Sequence, residues 1–447
     1  MSNETKRSAL KIMFIPQEMA GHVSATLGLA QVLRSRGHQV IYAIDSSHRE
    51  LAARQGFRTQ VIVNRWIDGN QLNEWESKIV DELQFTKPKT WRWFMRNIIW
   101  KLSSIFKFIT IMLYCWYNKD YGLYRIIRKH KPDIIVVDDL FCYPSVIYSG
   151  LPWVWHVSVH PLGFYDDPNL PQPYLGLSDN STKTLWQRLC GLLYKSLLNI
   201  LTYLYKLGYL LRGYPPNPEN RHSPHSPYLN LYCYPRELDY YPTKTTLKYP
   251  NAYRLDTMWL PKYDTSLEKP IDGPLKQFID ESQGKKLILV SMGSYCSGDQ
   301  RFMQKLIDIL KQTEHRYIVV KGYKSDSYEL PENMWGQPFV PQRQLLKYVD
   351  LLVTHAGTNS VYEALIYGRP MLALPLFLDQ FDSAQRLHET GYGIRLDAHQ
   401  YTDRELLDSL DQLLATDSDI HKRLKQISKR LLESDGLEIA AKMIENL

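Results

Sequence analysis

No two cysteines in this chain have the CxxC spacing, and their number is odd: Cys115, Cys142, Cys190, Cys233 and Cys296 lie scattered through 447 residues. That pattern argues against a disulfide framework or a structural zinc site and reads as the reduced thiols of a cytosolic protein. A long basic run is also missing; 54 Lys and Arg against 47 Asp and Glu leave a net charge of +7 spread along the chain. Nucleic acid is therefore set aside as a partner, and attraction of an anionic small substrate explains the excess as well. Nor is there an apolar run of the roughly 20 residues that a bilayer span requires. Across 91–117 and 185–211 the main charge-free windows are only Phe108–Tyr117 and Ser196–Tyr205, with Lys101, Lys107, Lys119, Lys195 and Lys206 close by. Leu140–Tyr165 lacks acids, Lys and Arg, but Pro144, Pro152, His156 and His160 make it a poor spanning helix. The first two stretches are expected to be amphipathic helices lining or covering an apolar cleft, with weak interfacial membrane contact left open. The opening MSNETKRSALKIMFIP carries only a short apolar run and reads as a first strand rather than a signal peptide.

The length predicts two domains of about 200 residues each. Lys11–Pro16 reads as a buried strand, Gly21-His22 as a turn, Val23–Arg36 as a helix with apolar residues at helical spacing, and Val40–Ile44 as the next strand. This opening predicts a doubly wound parallel sheet, whose ligands sit beyond the carboxyl ends of the strands. Asp133–Val137 is another buried strand with Asp138-Asp139 at its end; Pro152–Ser158 follows, and Leu229–Tyr232 is expected to close the first sheet. Pro and charge rise from about Pro250 to Gly284, where strands are expected to stop. The predicted division is an acceptor-side domain over 1–249, a linker over 250–284, a second α/β domain over 285–434, and a terminal helix over 435–447 that packs back on the first. A strand at Lys286–Ser291, followed by Met292-Gly293-Ser294, opens the second domain.

The most informative stretch is Phe339–Gln380, FVPQRQLLKYVDLLVTHAGTNSVYEALIYGRPMLALPLFLDQ. An apolar strand, Leu351–Thr354, ends in His355-Ala356-Gly357-Thr358-Asn359-Ser360 and passes straight into a helix carrying Glu363. Small and polar residues between a strand and a helix make a natural anion site, because first-turn N–H groups have no intrahelical partners and the helix dipole is positive there. A second apolar strand, Met371–Pro375, delivers Asp379 and Gln380 just past its end.

This stretch resembles the signature of the UDP-glycosyltransferases, which have the GT-B fold: two facing Rossmann-like α/β domains with parallel sheets and the active site in the cleft between. Phe339, Pro341-Gln342, His355-Ala356-Gly357, Asn359, Ser360, Glu363, Pro375 and Asp379-Gln380 fall in or near its pattern. The resemblance implies donor-site roles. Phe339, where the family usually has Trp, would stack on uracil, with Val340 and Gln342 beside the base. His355, Gly357, Thr358, Asn359 and Ser360 would hold the diphosphate and stabilise it as it leaves, and Ser294 would be a second phosphate contact. Glu363 would accept hydrogen bonds from the ribose hydroxyls, and Asp379 and Gln380 would bind the sugar.

His22 is the expected base, since imidazole titrates near neutral pH. A carboxylate on its other ring nitrogen would fix the tautomer. The end of the Asp133 strand offers Asp139, chosen because Tyr143-Pro144 after it keeps the spacing of similar bacterial enzymes, with Asp138 in reserve. The resemblance then implies inverting transfer of glucose from UDP-glucose to a small lipophilic phenol, flavonoid or other xenobiotic, with no metal required and no prosthetic group. The 31 Tyr and 11 Trp, many in the first half, suit an aromatic-lined acceptor pocket. A soluble, cytoplasmic enzyme like the plant, bacterial macrolide-type and signal-less arthropod proteins is expected. A sugar-nucleotide epimerase on the same fold and a non-catalytic binder of apolar ligands are the alternatives.

Overall fold

The computed structural model describes residues 8–62, 113–165, 167, 169–178, 185–217, 219, 225–243, 245–247, 249, 251–264, 270–293, 297, 299–322, 328–415 and 418–447. Two all-parallel sheets organise them. The first contains β1 (Lys11–Pro16), β2 (Gln39–Ile44), β3 (Arg58–Val61), β4 (Ile134–Asp138), β5 (Trp153–Val157), β6 (Leu229–Cys233) and β7 (Ala252–Leu255), in the order β3-β2-β1-β4-β5-β6-β7. The second contains β8 (Leu287–Ser291), β9 (Arg316–Val320), β10 (Met334–Gln337), β11 (Leu351–Thr354), β12 (Met371–Ala373) and β13 (Gly393–Arg395), in the order β10-β9-β8-β11-β12-β13. Runs such as Ile134–Val137 and Leu351–Val353 are fully buried, as strands covered on both faces must be.

Each sheet has one switch point where the strand order reverses, β1/β4 in the first and β8/β11 in the second. Loops leaving the carboxyl ends of strands diverge there and open a crevice. Pro16 pairs with Asp138 across the first switch point, and Ser291 with Thr354 across the second.

Strand alternation sorts side chains into layers. Ile134 and Val136 of β4 join the core layer of helix α1 (Ala20–Ser35), with Val23, Leu29 and Leu33. Ile135 and Val137 join the opposite layer, with Trp116, Leu123 and Ile127 of helix α2, residues 113–130. A 27-residue helix, α3 (Leu185–Leu211), lies over α2, with Tyr205 and Tyr209 packed on Trp116.

In the second half, α4 (Thr358–Ile366) follows β11 and α5 (Gln380–Glu389) follows β12. The last helix, α6 (Gly436–Glu445), lies in the first domain's core: Leu437, Ala440, Ala441 and Ile444 pack in the layer of α1. At that contact Glu445 forms an ion pair with Arg36 at 2.6 Å and a hydrogen bond with His38 Nε2 at 2.8 Å.

Two expectations need correcting. Strand β7 lies inside the stretch read as linker, so Leu229–Tyr232 does not close the first sheet. Ala252–Leu255 is a short, half-buried edge strand, and nothing but its Leu is strongly apolar. Helix α1 begins at Ala20, so His22 belongs to its first turn and not to a preceding turn. The expected helix over 91–117 falls mostly outside the described residues. Among those residues, no helix is long and apolar enough to cross a membrane.

Candidate functional site

At the first switch point β1 hands over to α1, and His22 sits in the first turn of that helix, buried. Its Nδ1 lies 3.3 Å from Asp138 Oδ2 and 3.2 Å from Ser158 Oγ. Ser158 Oγ in turn donates to Asp138 Oδ2 at 2.9 Å, so its oxygen is left to accept from Nδ1–H. Burial disfavours a charged imidazole, yet the facing Asp138 carboxylate outweighs it and raises the His22 pKa, with Asp139 and Asp379 adding to the effect. Burial alone would raise the Asp138 carboxyl. The charges and hydrogen bonds of His22 and His156 instead hold it well below the usual carboxylate range.

The expected partner, Asp139, points elsewhere. Its carboxylate takes Lys119 Nζ at 3.1 Å, Tyr143 Oη at 2.6 Å and the Phe141 N–H at 3.2 Å. The cause is alternation: Asp138 shares the parity of Ile134 and Val136, the α1 face, while Asp139 falls toward α2, the helix that carries Lys119. The same alternation places His156 of β5 with Val154, and its Nδ1 stands 3.5 Å from Asp138 Oδ1.

At the second switch point β8 ends in a turn through Gly293 (φ 76°), and β11 ends in His355, Ala356 (φ 61°) and Gly357, which precedes α4. The His355 ring fills the space between the two glycines. A Cβ at Gly293 would stand 2.8 Å from its Nε2, and one at Gly357 only 2.5 Å. Burial lowers the His355 pKa to about 4, so the ring is neutral at pH 7. No side chain caps α4, which leaves its first N–H groups available to an anion.

The other expected donor-site residues gather around this helix. Phe339 is 57% exposed, an aromatic face beside the half-buried Val340. Gln342 Nε2 donates to Ser360 Oγ at 3.1 Å and Glu363 Oε2 at 2.7 Å. Arg343 Nε donates to Glu363 Oε1 at 2.8 Å and its Nη1 to Asp264 Oδ2 at 2.9 Å. A carboxylate offers about four acceptor positions, so Glu363 keeps capacity for a ribose after binding both neighbours. Thr358 Oγ1 donates to Asp379 Oδ2 at 3.0 Å. Gln380 is buried, and its Oε1 accepts from the Leu376 and Phe377 N–H groups at 3.0 and 3.2 Å, so only its amide nitrogen is left for a ligand. Ser294 lies outside the described residues.

The two switch points meet. Asn359 Nδ2 in the first turn of α4 donates to the Gly21 carbonyl in the first turn of α1 at 2.7 Å. Asp379 Oδ2 also accepts from the His160 N–H of the first domain at 3.4 Å. Burial raises the Asp379 pKa against these hydrogen bonds and the His22 charge. Leu378 just before it has φ 51°, a strained value for a branched side chain.

Sequence reasoning missed Ser158, His156 and His160 on the first side and Arg343 and Asp264 on the second. The first three follow or end β5, the neighbour of β4, and strand parity was the signal that could have found them. Arg343 stands next to Gln342 in the signature, but its contact with Glu363 depends on a fold-back that spacing does not reveal. Among the described residues, no group of three or more His, Cys, Asp or Glu is arranged to hold a metal ion.

Comparison with known proteins adds the following. Residues 237–429 match the family described as UDP-glucoronosyl and UDP-glucosyl transferase. An NDP-glycosyltransferase, YjiC, of Bacillus licheniformis is 31% identical over 172 residues, covering 37% of this chain and 43% of that protein. The demethyllactenocin mycarosyltransferase of Streptomyces fradiae is 24% identical over 462 aligned positions, covering 98% of this chain and 86% of the relative. Against the Bacillus protein, then, the match spans less than half of the relative's length. Among solved structures, the glycotransferase of kitacinnamycin superposes with a TM-score of 0.67 at 19% identity, covering 98% of both chains.

Proposed function

We propose that the chain, which takes the GT-B fold and matches the UDP-glycosyltransferase family over residues 237–429, is an inverting transferase of that family moving glucose from UDP-glucose to a hydroxyl of a small lipophilic acceptor. Phenols and flavonoids are the acceptor class, and conjugation of xenobiotics is the role that fits. The observation that carries this reading is the meeting of the two switch points: the Asn359 to Gly21 hydrogen bond sets the His22 helix against the anion-binding helix start.

In the proposed reaction the donor's diphosphate lies against the first turn of α4 and the neutral His355 ring. Glu363 takes the ribose hydroxyls, Phe339 the base, and Asp379 the sugar. Asp138 and Ser158 hold His22 Nδ1, so Nε2 is the nitrogen that removes the acceptor proton. The acceptor oxygen bonds to the anomeric carbon as the carbon–oxygen bond to the diphosphate breaks. Its electron pair leaves with UDP, whose new charge meets the helix N–H groups. The proton stays on His22 as an imidazolium paired with Asp138, and one displacement inverts the anomeric centre. Cys142 and Cys233 are buried thiols outside any disulfide, which suits a cytoplasmic setting.

The test is incubation with UDP-glucose and a panel of phenols and flavonoids, with the product's anomeric configuration read by NMR. A β-glucoside, lost in His22→Ala while UDP binding persists, is the expected result. Transfer that survives His22→Ala removes the base, and an α-linked product removes the single displacement. A second reading, supported by the Streptomyces relative's name, is a mycarosyl-type sugar as cargo; thymidine-linked donors beside uridine-linked ones decide between the two.

A further inference from the structure

Helix α3 presents two unlike faces. Tyr205 and Tyr209 are buried on one side, with Tyr205 stacked on Phe141 at 4.7 Å and edge-on to Trp116 at 4.9 Å. On the other side Leu192, Ile200, Tyr203, Leu207, Leu210 and Leu211 are between 52% and 70% exposed. From Ile200 onward these residues recur every three or four positions, the spacing of one helical stripe. A helix face that only meets water would carry charge there; this one carries chiefly leucine.

The charges point to what covers the stripe. Leu185–Leu211 contains Arg188, Lys195 and Lys206 and no Asp or Glu. Lys195 is exposed, Lys206 is half-buried with its ammonium 5.3 Å from the Tyr203 ring centre, and at helical spacing both fall on the same flank of the stripe. Just past the helix end, Arg212 is tied to Asp120 at 2.7 Å and lies over the partly exposed rings of Tyr117 and Tyr121. A second copy of α3 would set lysines beside lysines with no acid on the helix to answer them. An anionic lipid leaflet answers every term: acyl chains for the leucines, phosphates for the ammonium groups on their flexible stems, and the headgroup layer for the tyrosines. No described helix is able to cross the bilayer, so the contact lies in the interfacial plane.

We propose that α3 is an interfacial helix that lays its apolar stripe on an anionic lipid surface, with Lys195 and Lys206 reaching the headgroups. The first domain would then rest on the phase in which lipophilic compounds accumulate. The inference stands apart from the sugar-transfer reading, because its readout is binding to vesicles.

The experiment is flotation of the full chain with phosphatidylcholine vesicles and with phosphatidylcholine–phosphatidylglycerol vesicles, at low and high salt. Expected is flotation with the anionic vesicles that weakens with salt, and a loss of about fivefold in partitioning for each lysine changed to Gln. Ile200→Gln with Leu207→Gln is expected to abolish flotation while the melting curve stays that of the parent, since both side chains are exposed. The proposal is overturned by absence of flotation, by equal binding to neutral and anionic vesicles, or by flotation that the Ile200 and Leu207 changes leave intact. Dimerisation that those same changes abolish would overturn it too, by assigning the stripe to a second copy.

Discussion

His22 Nδ1 faces Asp138 Oδ2 at 3.3 Å, while Asp139, the next residue, turns through the sheet to bind Lys119 at 3.1 Å. Two adjacent carboxylates thus have different work, and substitution separates them. Asp138→Asn should leave folding nearly intact and lower kcat by about 100-fold or more, the scale of a general base that loses its orientation. Asp139→Asn should act on stability, because it takes a partner from a buried cation, a loss of about 3–5 kcal/mol. Urea denaturation and steady-state kinetics on both variants check the split; a kinetic defect in Asp139→Asn at parental stability would reverse the assignment.

The raised His22 pKa predicts opposite trends for rate and stability. A base works when unprotonated, so kcat/KM should fall as pH drops through a midpoint above 6.5, and the residual rate of His22→Ala should lack that limb. For stability, a histidine raised in the folded state contributes fully below its unfolded pKa of about 6.5, and the contribution is lost as pH rises through the folded value. Asp138, lowered in the folded state, contributes fully above its unfolded pKa of about 3.9, and its share is lost as pH falls through the folded value. The pair therefore stabilises most between those two unfolded values, on the acid side of the best rate. A melting temperature that climbs along with the rate across pH 7 in the parent but not in Asp138→Asn would contradict this.

Gly293 and Gly357 flank the His355 ring too closely for a methyl group. Alanine at Gly357 should displace the imidazole and weaken UDP binding about tenfold or more. Alanine at Gly293 should do the same and also destabilise the fold by about 1–2 kcal/mol, since its φ is 76°. Calorimetric titration with UDP reads the first effect and thermal unfolding the second. With the His355 pKa near 4, its contribution to UDP affinity should be flat from pH 6 to 8.

Phe339 is more than half exposed, so it can be changed with little cost to folding. Removing a stacking ring costs about 1–3 kcal/mol per base, which places Phe339→Ala roughly tenfold weaker for UDP. Phe339→Trp, with its larger ring, should bind a few-fold tighter. Equal affinities across parent, Ala and Trp would take the base away from this side chain.

The β–α–β opening and the Phe339–Gln380 stretch were legible because buried parallel strands are apolar runs and the loops between them carry small and polar residues. The choice between Asp138 and Asp139 was legible in principle, since alternation along Ile134–Val137 decides which side each takes. Spacing borrowed from relatives outweighed that physical rule and pointed to the wrong neighbour. Strand β7 was hidden because edge strands need little apolar sequence, and its register with β6 is set by packing. The inward turn of Gln380 and the Arg343 clamp on Glu363 depend on loops folding back on themselves, a tertiary matter that local pattern does not encode.

Helices α1 and α4 begin within one hydrogen bond of each other, at Gly21 and Asn359. Each start carries about half a positive charge, and two like ends repel. In the proposed reaction a diphosphate beside them would turn that repulsion into attraction, and the nucleotide would serve as the counter-ion of the interdomain seam. Its departure would restore the repulsion, and product release would supply its own push toward reopening. Salt, by screening both ends, should loosen the grip on UDP and the push together.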